Sequence, residues 1–220
     1  MARKVPIGVL ISGSGTNLQA IIDAIEAEKL DATIQLVLSN RADAYGLVRA
    51  TNHGILSEVL DHKQFPSREA FDEAVVDHLQ ARGVEHVVLA GFMRLLSPVF
   101  VKAYSNRIMN IHPALLPAFP GLHVQRKALE YGVRFSGCTV HFVNEECDEG
   151  PIIIQAVVPV FPDDTEESLA DRILRQEHRI YPRAIQLYSE GRLRVAGRKV
   201  FVEGLTKEDR QVICQPPLEG

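Results

Sequence analysis

Cysteine is scarce in this chain. Its three thiols, Cys138, Cys147 and Cys214, are spread over 220 residues. They are too few and too irregularly spaced for a disulfide framework or a zinc site, so a reducing, cytoplasmic setting is expected. Long apolar runs are missing too: nothing approaches the ~20 residues that a bilayer-spanning helix needs. The first apolar stretch follows Arg3 and Lys4, is interrupted by Pro6 and Gly8, and stops at Gly13, which argues against a secretory signal. No excess of one charge is present either. With 24 Lys and Arg against 28 Asp and Glu, the net charge is −4, which indicates neither nucleic acid nor an anionic membrane as a main partner. Any anion site must then be local. Internal repeats and low-complexity segments are absent. At 46% hydrophobic residues the chain is long enough for one sizeable core and short for two, so a single domain is expected over residues 1–191, followed by a partly mobile extension at 192–220.

What is present reads as alternating strands and helices. Val5 to Ile11 is a continuous apolar run, then comes Ser12-Gly13-Ser14-Gly15-Thr16-Asn17, then Leu18, Ile21, Ile22 and Ile25 at helical spacing. This is strand, tight loop, helix, with Thr16 or Asn17 as the cap; backbone donors at that helix N-terminus suit a phosphate. The loop matches neither the dinucleotide fingerprint, since Leu18 stands at the third Gly, nor a P-loop, since no Lys-Ser/Thr follows. A plain strand-to-helix turn is the alternative reading. Thr33–Ser39 and Ile55–Leu60 are expected as further strands, with a helix between them from about Ala44 to Asn52. Ser67 is expected to cap a helix carrying Phe71, Ala74, Val75, His78 and Leu79 on one stripe and ending at Gly83. Glu85–Ala90 has the Val/Leu content of a strand buried on both faces of a parallel sheet. Ligands of such sheets bind beyond the carboxyl ends of the strands, where Gly13, Ser39, Gly91 and His112 all fall. Leu122–Tyr131 fits a helix, Ser136–Val143 and Pro151–Phe161 two strands, and a long helix opens at Asp164 or Thr165, with a kink expected at Pro182. The fold class is α/β: a Rossmann-like, mostly parallel sheet flanked by helices, with antiparallel strands toward the C-terminus and a short hairpin or edge strand after Gly191.

The chemistry concentrates between Ile108 and Asp148. In an extended segment Asn110 and His112 project to the same side while Met109 and Ile111 face the core. Pro113 keeps His112 extended where the strand ends. An amide and an imidazole in one small volume suit a carbonyl that becomes a tetrahedral oxyanion, because both donate hydrogen bonds and the imidazole also moves a proton. A carboxylate near the imidazole would favour its protonated form. The loop Asn144–Gly150 offers four, Glu145, Glu146, Asp148 and Glu149, and local reasoning does not choose among them.

Asn110-Ile111-His112-Pro113, Leu116-Pro117, Pro120-Gly121-Leu122-His123, Thr139-Val140-His141-Phe142-Val143 and Asp148 together closely resemble the folate-dependent formyltransferases. Ile11-Ser12-Gly13-Ser14-Gly15-Thr16-Asn17-Leu18 and Gly91-Phe92-Met93-Arg94 extend the resemblance over nearly the whole chain, from Ile7 to about Gly191. It implies formyl transfer from 10-formyltetrahydrofolate, a co-substrate, to the primary amine of glycinamide ribonucleotide in purine synthesis, without a metal. It singles out Asp148, which would complete a catalytic trio with His112 and Asn110. It further implies that Gly15, Thr16, Asn17 and Glu177 hold the ribonucleotide. The folate would meet Arg68, Met93, Arg94, Leu95, Leu96 and Asn110, with the loop residues Asn144, Glu145, Glu146, Cys147 and Asp148. The implied partners are small molecules only, and the assembly a monomer or homodimer. Three residues depart from the family pattern: Leu174, where relatives often carry a polar or basic substrate contact; Gln125, where some have a histidine; and Glu149, where a small residue is usual. Formyl-folate hydrolases and tRNA formyltransferases usually carry a further domain, for which this length leaves no room. A rival of another class is a non-catalytic nucleotide sensor built on the Gly13–Asn17 loop.

Overall fold

Val5–Ile11 forms strand β1 at the middle of the sheet, and its side chains explain its unbroken apolar run. Ile7, Val9 and Ile11 enter one hydrophobic cluster and Leu10 enters the other, on the opposite face, so both faces of the strand are covered. Gly8 lies on the Leu10 face, where an added Cβ would come within 2.5 Å of a Leu79 methyl. The structure is a computed structural model and describes residues 4–204.

Around β1 the chain lays down β2 (Ala32–Ser39), β3 (Ser57–Val59), β4 (His86–Leu89), β5 (Ile108–His112), β6 (Phe135–Phe142), β7 (Ile152–Pro159), β8 (Leu193–Ala196) and β9 (Lys199–Val202), in the spatial order β3-β2-β1-β4-β5-β6-β7-β9-β8. Pairing is parallel from β3 through β5 and antiparallel for β5–β6, β6–β7 and β8–β9, with one parallel contact joining β7 to β9. The chain moves outward from β1 to β2 and β3, then returns to β4 on the other side of β1. That reversal opens a crevice at the carboxyl ends of β1 and β4, the place where open α/β sheets bind ligands.

Helices cover both faces. On one side α1 (Thr16–Glu26), α2 (Tyr45–Asn52) and α6 (Glu166–Ser189) bury Leu18, Ile21, Ile22, Ala50, Tyr181, Ala184 and Ile185 against the sheet. On the other, α3 (Arg68–Ala81) and α4 (Pro98–Ala103) bury Phe71, Val75, Leu79, Phe100 and Val101. A third cluster joins α5 (Val124–Tyr131) and the start of α6 to β6 and β7 through Ala128, Leu169, Ile173, Cys138 and Val158. Tyr181 sutures α6 to the sheet, its hydroxyl donating to the carbonyls of Leu89 and Met109 at 3.0 and 2.9 Å. No helix among the described residues is long and apolar enough to cross a membrane.

Several local expectations change. The N-cap of α1 is Gly15, in the left-handed region with φ 69°, and no side chain caps the helix; the expected caps Thr16 and Asn17 are already helical. Strand β3 has three residues, shorter than expected for Ile55–Leu60. Helix α4 adds an element the sequence pattern does not announce, because its six residues are too few to show a period, although Ser97-Pro98 is a regular helix start. Helix α6 begins with a capping box between Thr165 and Ser168 and runs as one element through the buried Pro182. Packing against the sheet and β6 holds the turn where a donor is lost, so the proline does not divide the helix. The hairpin β8–β9 extends the sheet edge, and the end beyond Gly204 lies outside the described residues.

Candidate active site

Strand β5 ends the parallel half of the sheet and begins the antiparallel half, and its register aligns the site. Asn110 sits opposite His141 and His112 opposite Thr139, so two alternating residues from each strand share one face. Asn110 Nδ2 lies 3.3 Å from His141 Nε2. His141 Nδ1 lies 2.9 Å from the Phe142 carbonyl, which can only accept, so Nδ1 carries the proton and Nε2 accepts from the Asn110 amide. Burial, the largest influence on His141, depresses its pKa and keeps it the neutral acceptor this bond requires. Thr139 has a different task. Its hydroxyl donates to the Ala114 carbonyl at 2.7 Å and accepts from Leu116 N–H and Gln155 Nε2, each at 3.0 Å, which pins the chain leaving His112.

His112 is buried, and both its ring nitrogens face oxygen. Nε2 is 3.0 Å from the Phe119 carbonyl, and Nδ1 is 3.4 Å from Asp148 Oδ2. Asp148 Oδ2 also accepts from Gly121 N–H at 3.0 Å, while Oδ1 stands 3.9 Å from His141 Nε2. Asp148 holds the left-handed conformation with φ 56°, as do Phe119 and His123 at 53° and 57°. Two of these left-handed residues, Phe119 and Asp148, touch the imidazole directly, the kind of backbone cost that functional sites carry. The Asn144–Gly150 loop thus delivers Asp148 alone of its four acids, since Glu145, Glu146 and Glu149 are exposed.

At the carboxyl end of β1, the loop Ser12–Gly15 leads into α1. Ser12 Oγ donates to Asn40 Oδ1 at 2.6 Å and accepts from Met93 N–H at 2.8 Å, tying the ends of β1 and β2 to the loop after β4. Gly15 cannot be replaced freely: besides its φ, a Cβ there would meet the Gly46 Cα at 2.6 Å. The N–H groups of Ser14, Gly15, Thr16 and Asn17 make no hydrogen bond to any described residue. Asn17 Nδ2 donates to Glu177 Oε2 at 2.7 Å, although 160 positions separate them. Glu177 is 7% exposed, not a solvated helical glutamate, and burial raises its pKa.

The remaining candidates lie in the segment after β4, at the start of α3 and in the Asp148 loop. Met93 and Leu95 are 64% and 59% exposed, an uncommon state for apolar side chains beside a cleft. The Arg94 guanidinium lies 5.2 Å from the Phe71 ring centroid. Arg94 and Arg68 both act on the buried carboxyl of Asp72, whose pKa is raised chiefly by burial and which accepts from Ser97 N–H. Asn144 Oδ1 is buried without a partner among the described residues, and Cys147, exposed, points its thiol toward Asp148 at 3.6 Å.

A family profile described as "Formyl transferase" matches residues 5–185. The chain belongs to the formyl transferase family. It is 49% identical over 198 residues to a phosphoribosylglycinamide formyltransferase of Escherichia coli (strain K12), covering 90% of this chain and 93% of that one. It is 54% identical over 190 residues to a trifunctional purine biosynthetic protein of Drosophila pseudoobscura pseudoobscura, covering 86% of this chain but only 14% of that longer protein. In three dimensions it superposes on a glycinamide ribonucleotide transformylase 1 from Symbiobacterium toebii with a TM-score of 0.90 and 55% identity, covering 92% and 95% of the two chains. This formyltransferase accordingly has the α/β architecture expected from its sequence, antiparallel strands included. The sequence reading missed His141, Ser12, the Phe119 carbonyl and the Gly121 N–H. Only His141 had a visible signal: the alternation Thr139-Val140-His141 puts it on one face with Thr139, but its partner Asn110 emerges only from the strand register.

Proposed function

We propose that this formyltransferase moves a formyl group from 10-formyltetrahydrofolate to the primary amine of glycinamide ribonucleotide, a step of purine biosynthesis. The observation that carries the reading is the joint geometry of the cleft. An amide, an imidazole and a carboxylate stand at one end, a cradle of backbone N–H groups without partners among the described residues at the other, and exposed apolar side chains with two arginines line the part read as the folate site.

In this mechanism the amine lone pair attacks the formyl carbon and the carbonyl π electrons move to oxygen. Asn110 has one amide hydrogen engaged by His141 Nε2 and the other free for the oxyanion. His112 is the second donor, exchanging its contact with the Phe119 carbonyl for the developing charge. Asp148 keeps His112 oriented and takes the amine proton through water. Asp148 passes that proton on through water to the folate nitrogen, the tetrahedral centre collapses, the folate nitrogen leaves with its bonding pair, and the products are the formylated amine and tetrahydrofolate. No covalent enzyme intermediate is required. Gly15, Thr16 and Asn17 hold the phosphate, with anions favoured at a helix N-terminus, and Glu177, held by Asn17, faces the ribose or glycinamide portion. Met93 to Leu96, Arg68 and the loop Asn144–Asp148 receive the folate.

Mixing the protein with both substrates and following the folate absorbance tests this reading. The expected result is donor consumption that depends on the ribonucleotide. Consumption without it indicates hydrolysis, and no consumption at all favours a nucleotide-binding protein without catalysis.

A further inference from the structure

Helix α2 controls the direction in which the phosphate loop points its peptides. Gly46 N–H donates to the Gly13 carbonyl at 3.0 Å, and the next carbonyl, that of Ser14, accepts from Arg49 Nε at 2.9 Å. In a planar trans peptide the C=O of one residue and the N–H of the next point to opposite sides. Holding the Gly13 carbonyl outward therefore turns Ser14 N–H inward, and holding the Ser14 carbonyl outward turns Gly15 N–H inward, beside the first free N–H groups of α1. Successive inward N–H groups make an anion-binding concavity. The first of these two restraints is a backbone bond that any residue supplies, whereas the second depends on one side chain.

That side chain is itself well anchored. Arg49 Nη1 donates to Gln19 Oε1 at 3.2 Å, and the guanidinium sits 5.1 Å from the Tyr45 ring centroid. Its Nη2 makes no hydrogen bond among the described residues. Together with Thr16 and His178 it lines a groove of about 390 Å³ along α1. Asp23 also lines that groove, roughly 10 Å along the helix from Thr16 at 1.5 Å per residue, and burial, chiefly, lowers the pKa of His178. The strong cation is thus placed at the Thr16 end, beside the cradle.

We infer that Arg49 is a positioning residue of the phosphate site: it aims Gly15 N–H at the ribonucleotide phosphate and sets a fixed positive charge beside it. This rests on the reading of Gly13–Asn17 as the phosphate cradle.

Steady-state kinetics on glycinamide ribonucleotide and on the dephosphorylated glycinamide riboside, with wild type, Arg49→Met and Arg49→Gln, provide the test. Arg49→Met is expected to raise KM for the ribonucleotide about 10- to 100-fold, the range of a charge-assisted hydrogen bond, with kcat and the folate KM nearly unchanged. On the riboside it should match wild type. Arg49→Gln, which keeps an N–H donor for the Ser14 carbonyl without the charge, should fall between. An unchanged ribonucleotide KM, or an equal loss on both acceptors, overturns the inference while leaving the cradle reading intact. A wild type with no preference for the phosphorylated acceptor overturns both.

Discussion

At the α1 end the cleft presents backbone N–H groups, and at the β5–β6 end it presents an amide, an imidazole and a carboxylate. The first is a product of chain shape: Gly15 at positive φ, Gly46 packed against it, and two loop carbonyls turned outward by α2. The second is a product of register: Asn110 and His112 reach their neighbours because β6 pairs antiparallel with β5 in one alignment. An anion is best held by several fixed backbone dipoles acting together. Proton movement needs specific titratable groups at specific distances. The two ends should therefore fail differently.

The largest effect is expected at the side-chain end. Asn110→Ala removes a donor to the oxyanion and should lower kcat by about a hundredfold to a thousandfold, with both KM values and the melting temperature little changed; a stopped assay with circular dichroism checks both. At the backbone end, Gly15→Ala adds a Cβ at a left-handed position hard against Gly46. It should raise the ribonucleotide KM about tenfold or more and cost about 1–3 kcal/mol of stability, with saturating kcat preserved, as measured by kinetics and urea melts. An opposite pattern, kcat lost and KM kept, erases the contrast between the ends. Smaller still, His141→Leu leaves Asn110 without its acceptor and should reduce kcat about tenfold, the size of one lost orienting hydrogen bond; kinetics in which Asn110→Ala masks it would place both in one unit.

The smallest effect on activity belongs to neither end. His86 starts β4, fully buried at the amino end of that interior strand, away from the carboxyl-end crevice, stacked on Tyr188 with ring centroids 4.0 Å apart and both nitrogens without partners among the described residues. Burial, with a smaller contribution from Arg107, pushes its pKa down to about 3. Below its ordinary value of 6.5 the unfolded chain takes a proton that the folded chain refuses. His86 therefore makes stability fall as pH drops from 6.5 toward 3, by up to roughly 4 kcal/mol. His86→Leu should leave turnover unchanged and flatten the denaturation midpoint across that interval. A pH slope equal to wild type removes His86 from the account.

The same division decides what could be read in advance. The strands were visible because apolar runs such as Val5–Ile11 and Glu85–Ala90 are buried on both faces, and Ser67 announced its helix by capping chemistry. Asn110 and His112 were visible together because period two is a local property. Asp148 was not separable from Glu145, Glu146 and Glu149 by local reasoning, since what distinguishes it is a left-handed turn and a bond from Gly121, 27 positions away. His141 and the Asn17–Glu177 pair depend on register and on helix placement across 31 and 160 positions, which no local pattern encodes. The Gly15 cap is hidden in the sequence because Thr16 and Asn17 carry the stronger side-chain capping propensity, while the loop needs a positive φ and room for Gly46.

His112→Ala tests the central claim most directly: that the β5–β6 end performs the chemistry and the α1 end only anchors. With the variant shown to be folded, kcat and both KM values are measured in the ribonucleotide-dependent formyl-transfer assay. The account predicts a loss of kcat of about a hundredfold to a thousandfold with ribonucleotide KM within about threefold of wild type. Undiminished formyl transfer by the folded variant would contradict it.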